Sequence, residues 1–389
     1  MPARDCKLLY VVSMKSEKNK EVFWSLLRAG LWEQNLEFRQ YGDTDFAEVL
    51  RLAGEQSVVG LVAAGIERFK LEVPEFKIPQ EWVLKFVGHT LQIEQRNRTM
   101  NDFLARLILL LRKNGVYALL VKGQGIAQCY ERPLWRTAGD IDLLLSESNY
   151  EKAKNVLQPL ASSVETEYTH FKHQGMTIDG WVVELHGTMQ SRLSRRVDKE
   201  LDRVQQDVFR NGDVRAWRCG DTDIFLPGTD CDIVFVFTHI LHHFFLEGVG
   251  LRQICDWCRL LWTYHSDIDV NQLNKRLSKM GLRSEWRAFA AFAVEWLGMP
   301  KDAMPLYSPS KKWTRKAQRI NRFVLKVGNF GHNQSRISNV NQPYLIRKII
   351  SFWEHCGFLL RHITIFPLDS IRFFGGLLRS GLYAAVKGE

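Results

Sequence analysis

Apolar residues recur at three- and four-residue spacing through Lys20–Trp32, Asp45–Glu55 and Gln80–Arg112, which predicts a helical N-terminal region over residues 1–112. Polar residues at Arg96–Arg98 interrupt the third stretch, so it reads as one long helix or as two. The period changes after Gly115. Val116–Val121 is short, apolar and partly β-branched, as suits a buried strand. Lys122-Gly123-Gln124-Gly125 ends it, and Ile126–Tyr130 begins a short helix. Asp140–Leu145 predicts a second strand, and Ser146-Glu147-Ser148 opens a helix to about Leu160, with hydroxyls suited to capping. Two more strands, Lys172–Ile178 and Trp181–His186, flank Asp179-Gly180, a strong hairpin signal. Residues 113–195 therefore form a small mixed α/β core. A helix at Arg196–Phe209, a β-like excursion at 214–227 and helices at Ile233–Leu246, Leu251–His265, Val270–Met280 and Glu285–Leu297 fill a second helical region, 196–305. A basic aromatic helical tail occupies 306–389. The expected class is α+β: a small mixed-sheet core flanked by N-terminal and C-terminal helical regions.

The chain has 389 residues, 46% of them hydrophobic, enough for two or three domains and a sizeable core. Its net charge of +10 is concentrated at one end: residues 311–389 carry 14 Lys/Arg against 3 Asp/Glu. That tail could meet nucleic acid, an anionic membrane surface or an acidic partner, or be a solvated helical face. Seven scattered cysteines suggest no disulfide framework, and Cys255-x-x-Cys258 sits in an apolar run that makes core-facing thiols a better reading than zinc. The N-terminus lacks a signal-peptide pattern, and no stretch of about 18 uncharged apolar residues predicts a transmembrane segment. The expected location is cytoplasmic, with peripheral membrane association as the variant the tail allows.

The chemistry centres on Asp140-Ile141-Asp142. Residues i and i+2 of a strand share a face, so both carboxylates project together. They repel unless a cation sits between them, and paired hard oxygens suit Mg²⁺ or Mn²⁺. Three neighbours sharpen the reading. In Lys122-Gly123-Gln124-Gly125 the glycines let amides approach an anion, a helix N-terminus follows, and Lys122 can supply a point charge. Arg136 can grip a phosphate or pair with Asp140. Glu184, on an otherwise apolar strand, is the natural third carboxylate, able to join a metal site and take a proton. His186 shares the strand face of Glu184 and points toward the same place. The alternatives are plain: a solvated strand end for the aspartates and an exposed tight turn for the lysine.

Lys122-Gly123, Arg136, Gly139-Asp140-Ile141-Asp142-Leu143 and Glu184-Leu185-His186 together resemble a nucleotidyltransferase family of the DNA polymerase β superfamily described as uncharacterised. They are also similar to nucleotidyltransferase toxins of abortive-infection systems. The likeness continues through Leu226-Pro227, His239, His242 and Gly250-Leu251-Arg252 to Asp256, covering about residues 80–300. The resemblance implies Asp140, Asp142 and Glu184 as ligands of two Mg²⁺ ions, and the Gly123 turn as the holder of nucleotide phosphates. Gln124 departs from the Ser or Gly common at its position.

The expected activity is transfer of a nucleoside monophosphate from an NTP to an unknown acceptor: a small molecule, protein or RNA. Asp140, Asp142 and Glu184 are the catalytic and metal residues; Lys122, Gly123, Gln124, Arg136, His186, His239 and His242 form the nucleotide side. A catalytically inactive nucleotide-binding or scaffold protein of the same fold, and a toxin-like enzyme modifying tRNA or protein, are the alternatives. His239 and His243, one helical turn apart, could bind zinc but read better as packed histidines. Arg252 and Asp256, at i and i+4, read as an intrahelical pair.

Overall fold

The computed structural model describes residues 3–33, 44–167, 172–246, 248–328, 357 and 362–375. The N-terminal region forms α1 (Ala3–Leu31), α2 (Phe46–Glu55), α3 (Val59–Glu72) and α4 (Gln80–Lys113). Asp45 caps α2 by accepting the amides of Ala47 and Glu48. The stretch interrupted at Arg96–Arg98 is a single helix of 34 residues; Arg96 and Arg98 lie on its exposed flank, Arg98 paired with Glu94 one turn back, while Asn97 between them is buried. Helix α3 was not evident from the sequence pattern. Val59 to Phe69 is buried on most sides, so its apolar residues show no stripe.

The core follows as β1 (Ala118–Val121), α5 (Gly123–Ala127), β2 (Ile141–Leu145), α6 (Glu147–Leu157), β3 (Ser163–Val164), β4 (His173–Ile178) and β5 (Trp181–His186). The strands form one mixed sheet ordered β1-β2-β5-β4-β3. Strand β2 lies antiparallel to β1 and parallel to β5, with Asp142 opposite Glu184. The β4–β5 hairpin turns at Asp179 and Gly180, whose φ values of 50° and 78° match the two left-handed residues of a type I′ turn. Alternation sorts the faces. Ile141, Leu143, Val183 and Leu185 pack with Phe103, Leu104 and Leu107 of α4 and with Tyr150 and Leu157 of α6. The other face carries Asp142, Glu184 and His186 toward the C-terminal helices. Full burial of β2 on both faces is what a central strand with one parallel neighbour requires.

Helix α7 (Arg195–Asn211) and the hairpin β6 (Val214–Cys219) and β7 (Thr222–Pro227) lead into α8 (Thr229–Leu246), α9 (Leu251–Thr263), α10 (Val270–Met280), α11 (Arg283–Glu295) and α12 (Lys311–Val327). These helices share one core with the N-terminal ones: Trp24 of α1 packs on Phe292 and Trp296, and the Trp32 indole donates to the Leu297 carbonyl at 2.5 Å. Cys255 and Cys258 are fully buried in it, as the apolar run around them predicted. The chain is α+β.

One buried acid in this core has a measurable consequence. Glu285 of α11 is 1% exposed, neither of its oxygens accepts a hydrogen bond among the described residues, and the Asp369 carboxyl lies beside it. Burial and the neighbouring carboxyl push Glu285 up to about 9. Between the ordinary carboxylate range and pH 9 the folded chain holds a proton that the unfolded chain has lost, so stability falls as pH rises through that window. The thermal midpoint of Glu285→Gln is expected to lose at least about 2 °C less between pH 6 and pH 9 than that of the wild type. Parallel slopes in calorimetry would show that Glu285 is not the titrating group.

Candidate active site

Strand β1 delivers the chain to Lys122 at φ 60°, ψ −150°, a region that is essentially glycine's own and costs on the order of 1–3 kcal/mol for a side-chain-bearing residue. Gly123 follows at φ 46° and completes the bend. The strained backbone aims the Lys122 ammonium at Asp142 Oδ1, 2.7 Å away, and at His239 Nε2, 3.4 Å away. Burial opposes the ammonium charge, but Asp142, Asp140 and Glu184 together outweigh it and raise the Lys122 pKa. Helix α5 is only five residues long, so the helix-dipole contribution expected from the sequence is small and any anion at this bend would rely on the turn itself.

Gln124 turns away from the site. Its amide donates to Asn97 Oδ1 at 3.1 Å and Asn101 Oδ1 at 2.8 Å on α4. Asn97 in turn donates to the carbonyls of Leu134 and Arg136, each at 2.7 Å. One buried asparagine thus ties the glycine bend to the segment that enters β2. No site residue was assigned to α4 from the sequence; an Asn on the buried face of that helix was the available signal.

Asp140, Asp142 and Glu184 each present a carboxylate oxygen within 4.8 Å of the others. The charge of Asp142, then burial, raises the Asp140 pKa. Burial works against the Glu184 carboxylate, yet hydrogen bonds from His173 and His186 hold it well below the usual range. That favours Glu184 as a ligand over the proton-accepting role anticipated from its strand position. His186 Nε2 stands 2.9 Å from Asp142 Oδ1 and 3.4 Å from Glu184 Oε2, and His173 Nε2 stands 3.1 Å from Glu184 Oε2. His173 was missed from the sequence, although the two-residue turn fixes it opposite His186.

These groups line a 480 Å³ cavity closed on its other side by α8 and α9. A sequence profile described as uncharacterised nucleotidyltransferase matches residues 42–298, a range that holds the bend, all three carboxylates and both of those helices. The chain belongs to that family. No curated protein and no solved structure matches it.

In this nucleotidyltransferase Arg136 does not reach Asp140, nor is it free to grip a phosphate. It forks onto Asp256 with bonds of 2.9 and 2.7 Å, and Tyr130 donates to the same carboxylate at 2.8 Å. Asp256 is therefore not the intrahelical partner of Arg252. Both α9 residues face the core, and the Arg136 guanidinium takes the carboxylate. Arg252 instead donates to the Thr137 carbonyl at 3.0 Å, and its Nε has no hydrogen-bond partner among the described residues. Lys122 and Arg136 are each paired with an acid; Arg252, 8% exposed at the cavity wall beside Gly139, is not ion-paired among the described residues.

His239 and His242 line the cavity with His243. Burial depresses all three, His242 to about 4 and His243 to about 3, so at neutral pH they are uncharged imidazoles. His243 Nε2 meets His239 Nε2 at 3.0 Å, and His242 Nδ1 meets the Ser191 carbonyl at 2.7 Å. In the basic tail, the aromatic side chains of Trp313 and Phe323 are buried in the core and do not offer a surface for nucleic acid; Lys312, Arg315, Arg319, Arg322 and Lys326 remain on the exposed side of α12. Arg347, Lys348 and Trp353 lie outside the described residues. No helix among the described residues is long and apolar enough to cross a membrane.

Proposed function

We propose that this protein transfers a nucleoside monophosphate from an NTP to an acceptor hydroxyl, with Asp140, Asp142 and Glu184 as the catalytic carboxylates. The observation that carries the reading is the meeting of these three acids, from β2 and β5, on one wall of the cavity. Their donor chemistry fits divalent cations that prefer oxygen, Mg²⁺ first and Mn²⁺ next. Bound there, such ions would neutralise charge on the triphosphate and on the attacking oxygen. The acceptor oxygen forms a bond to the α-phosphorus as the bond to the bridging oxygen breaks, pyrophosphate leaves, and the hydroxyl proton passes to a carboxylate of the triad.

Lys122 and Arg252 supply the positive charge. Lys122 is held beside Asp142 and can turn toward a phosphate entering at the bend. Arg252 brings a desolvated guanidinium with no ion-paired acid among the described residues, an arrangement that an anionic ligand would stabilise. A charge-assisted hydrogen bond contributes about 1.5–3 kcal/mol, so Arg252→Gln is expected to weaken NTP binding by roughly 10- to 100-fold. Fluorescence titration with a labelled NTP would read this directly, and an unchanged affinity would remove Arg252 from the phosphate site.

A second reading, nucleotide binding without transfer, is favoured by one feature: Lys122 and His186 both abut Asp142 Oδ1, giving it internal cationic and hydrogen-bonding partners. Incubation with α-³²P-labelled NTPs, Mg²⁺ and an acceptor-containing extract separates the two. Label transfer and pyrophosphate release that require Asp142 support the enzyme. NTP binding with neither supports the non-catalytic reading.

A further inference from the structure

We propose that His173, His186, Glu184 and Asp142 form a second cation site of mixed nitrogen and oxygen donors, one that takes a first-row transition ion such as Mn²⁺, Co²⁺ or Zn²⁺ in preference to Mg²⁺. It rests on the nucleotidyltransferase reading only in that Glu184 and Asp142 serve both donor sets.

The hairpin register places His173 and His186 directly opposite each other, with ring centroids 4.7 Å apart and ring planes inclined at 55°. Both present Nε2 to the same oxygen, Glu184 Oε2, at 3.1 and 3.4 Å, and His186 Nε2 also lies 2.9 Å from Asp142 Oδ1. Donor atoms of His173, Glu184 and His186 all fall within 4.8 Å of one another. Metal–donor bonds of about 2.1 Å give neighbouring donors separations of about 3.0 Å in an octahedron and about 3.4 Å in a tetrahedron. The three histidine–carboxylate spacings, 3.1, 2.9 and 3.4 Å, fall in the range of such edges. All four residues line the cavity, and both histidines remain partly accessible to it, at 24% and 14%.

The donor types decide the ion. Carboxylate oxygens alone suit Mg²⁺, which dehydrates reluctantly and rarely takes imidazole. Two imidazoles beside two carboxylates suit the transition series. Glu184 then joins the two donor sets: one toward Asp140, rich in oxygen, and one toward His173, containing nitrogen.

The test uses the full-length, untagged chain stripped of metal with EDTA. Titrated with Co²⁺, the wild type is expected to develop visible d–d absorption, and pulsed EPR of its Mn²⁺ form to show imidazole nitrogen coupling. His173→Gln is expected to weaken Co²⁺ binding at least about tenfold, and by a larger factor than it weakens Mg²⁺-dependent binding of an NTP analogue. Asp140→Asn is expected to do the reverse. Absence of nitrogen coupling in the wild type overturns the proposal without recourse to any variant, as does Co²⁺ affinity unaltered by His173→Gln in a protein with the wild-type thermal midpoint. Failure of Asp140→Asn to reduce Mg²⁺-dependent NTP binding counts against the nucleotidyltransferase reading and leaves the histidine site to be judged by His173 alone.

Discussion

Asp142→Asn is expected to lower label transfer from NTP by on the order of 10³-fold or more while leaving the fold intact. Asp142 sits at the convergence of the site: 2% exposed, in register with Glu184, and in contact with both Lys122 and His186. Loss of groups that merely orient a metal ligand costs about 10- to 100-fold, so loss of a ligand should exceed that range. The asparagine oxygen can still accept from the Lys122 ammonium, so that cation is not left without a partner and the strained bend keeps its anchor. The effect should therefore appear in turnover rather than in the thermal midpoint. Retention of a tenth or more of wild-type turnover would remove Asp142 from the chemistry.

Arg136→Met is expected to destabilise the fold by about 3–5 kcal/mol, the cost of leaving a buried charge without its partner. Arg136 is 5% exposed, and its two bonds to Asp256 join the segment entering β2 to helix α9. Burial works against its charge, and Asp256 more than restores it, raising the Arg136 pKa. Among the described residues, Asp256 would retain only the Tyr130 hydroxyl as a hydrogen-bond donor. The double variant Arg136→Met with Asp256→Leu should recover part of the loss, since neither charge then remains buried. Chemical denaturation of both variants reads the difference; an Arg136→Met protein as stable as the wild type would mean that the pair holds little of this interface together.

These two residues also show where sequence reasoning reached and where it stopped. The i, i+2 carboxylates of β2 and the hairpin at Asp179-Gly180 are local patterns, and a period of two with a two-residue turn specifies faces and register without tertiary information. The same logic, counted outward from the turn, pairs His173 with His186. Arg136 could not be assigned this way. Its partner lies 120 residues away on a helix whose other neighbour, Arg252, offered a spacing equally compatible with an ion pair. Helix α3 escaped because burial on several sides erases the amphipathic stripe, and α5 begins at Gly123, three residues before the Ile126 start expected from the sequence, directly after the bend whose Lys122 contacts Asp142 and His239.

The central claim is tested most directly by calorimetric titration of α,β-methylene nucleoside triphosphates into the full-length protein, in Mg²⁺ and in EDTA. At least one nucleotide is expected to bind tenfold or more tightly with Mg²⁺, and Asp140→Asn combined with Asp142→Asn should abolish that difference. Equal affinity with and without the cation, in wild type and double variant alike, would contradict a carboxylate-built nucleotide site.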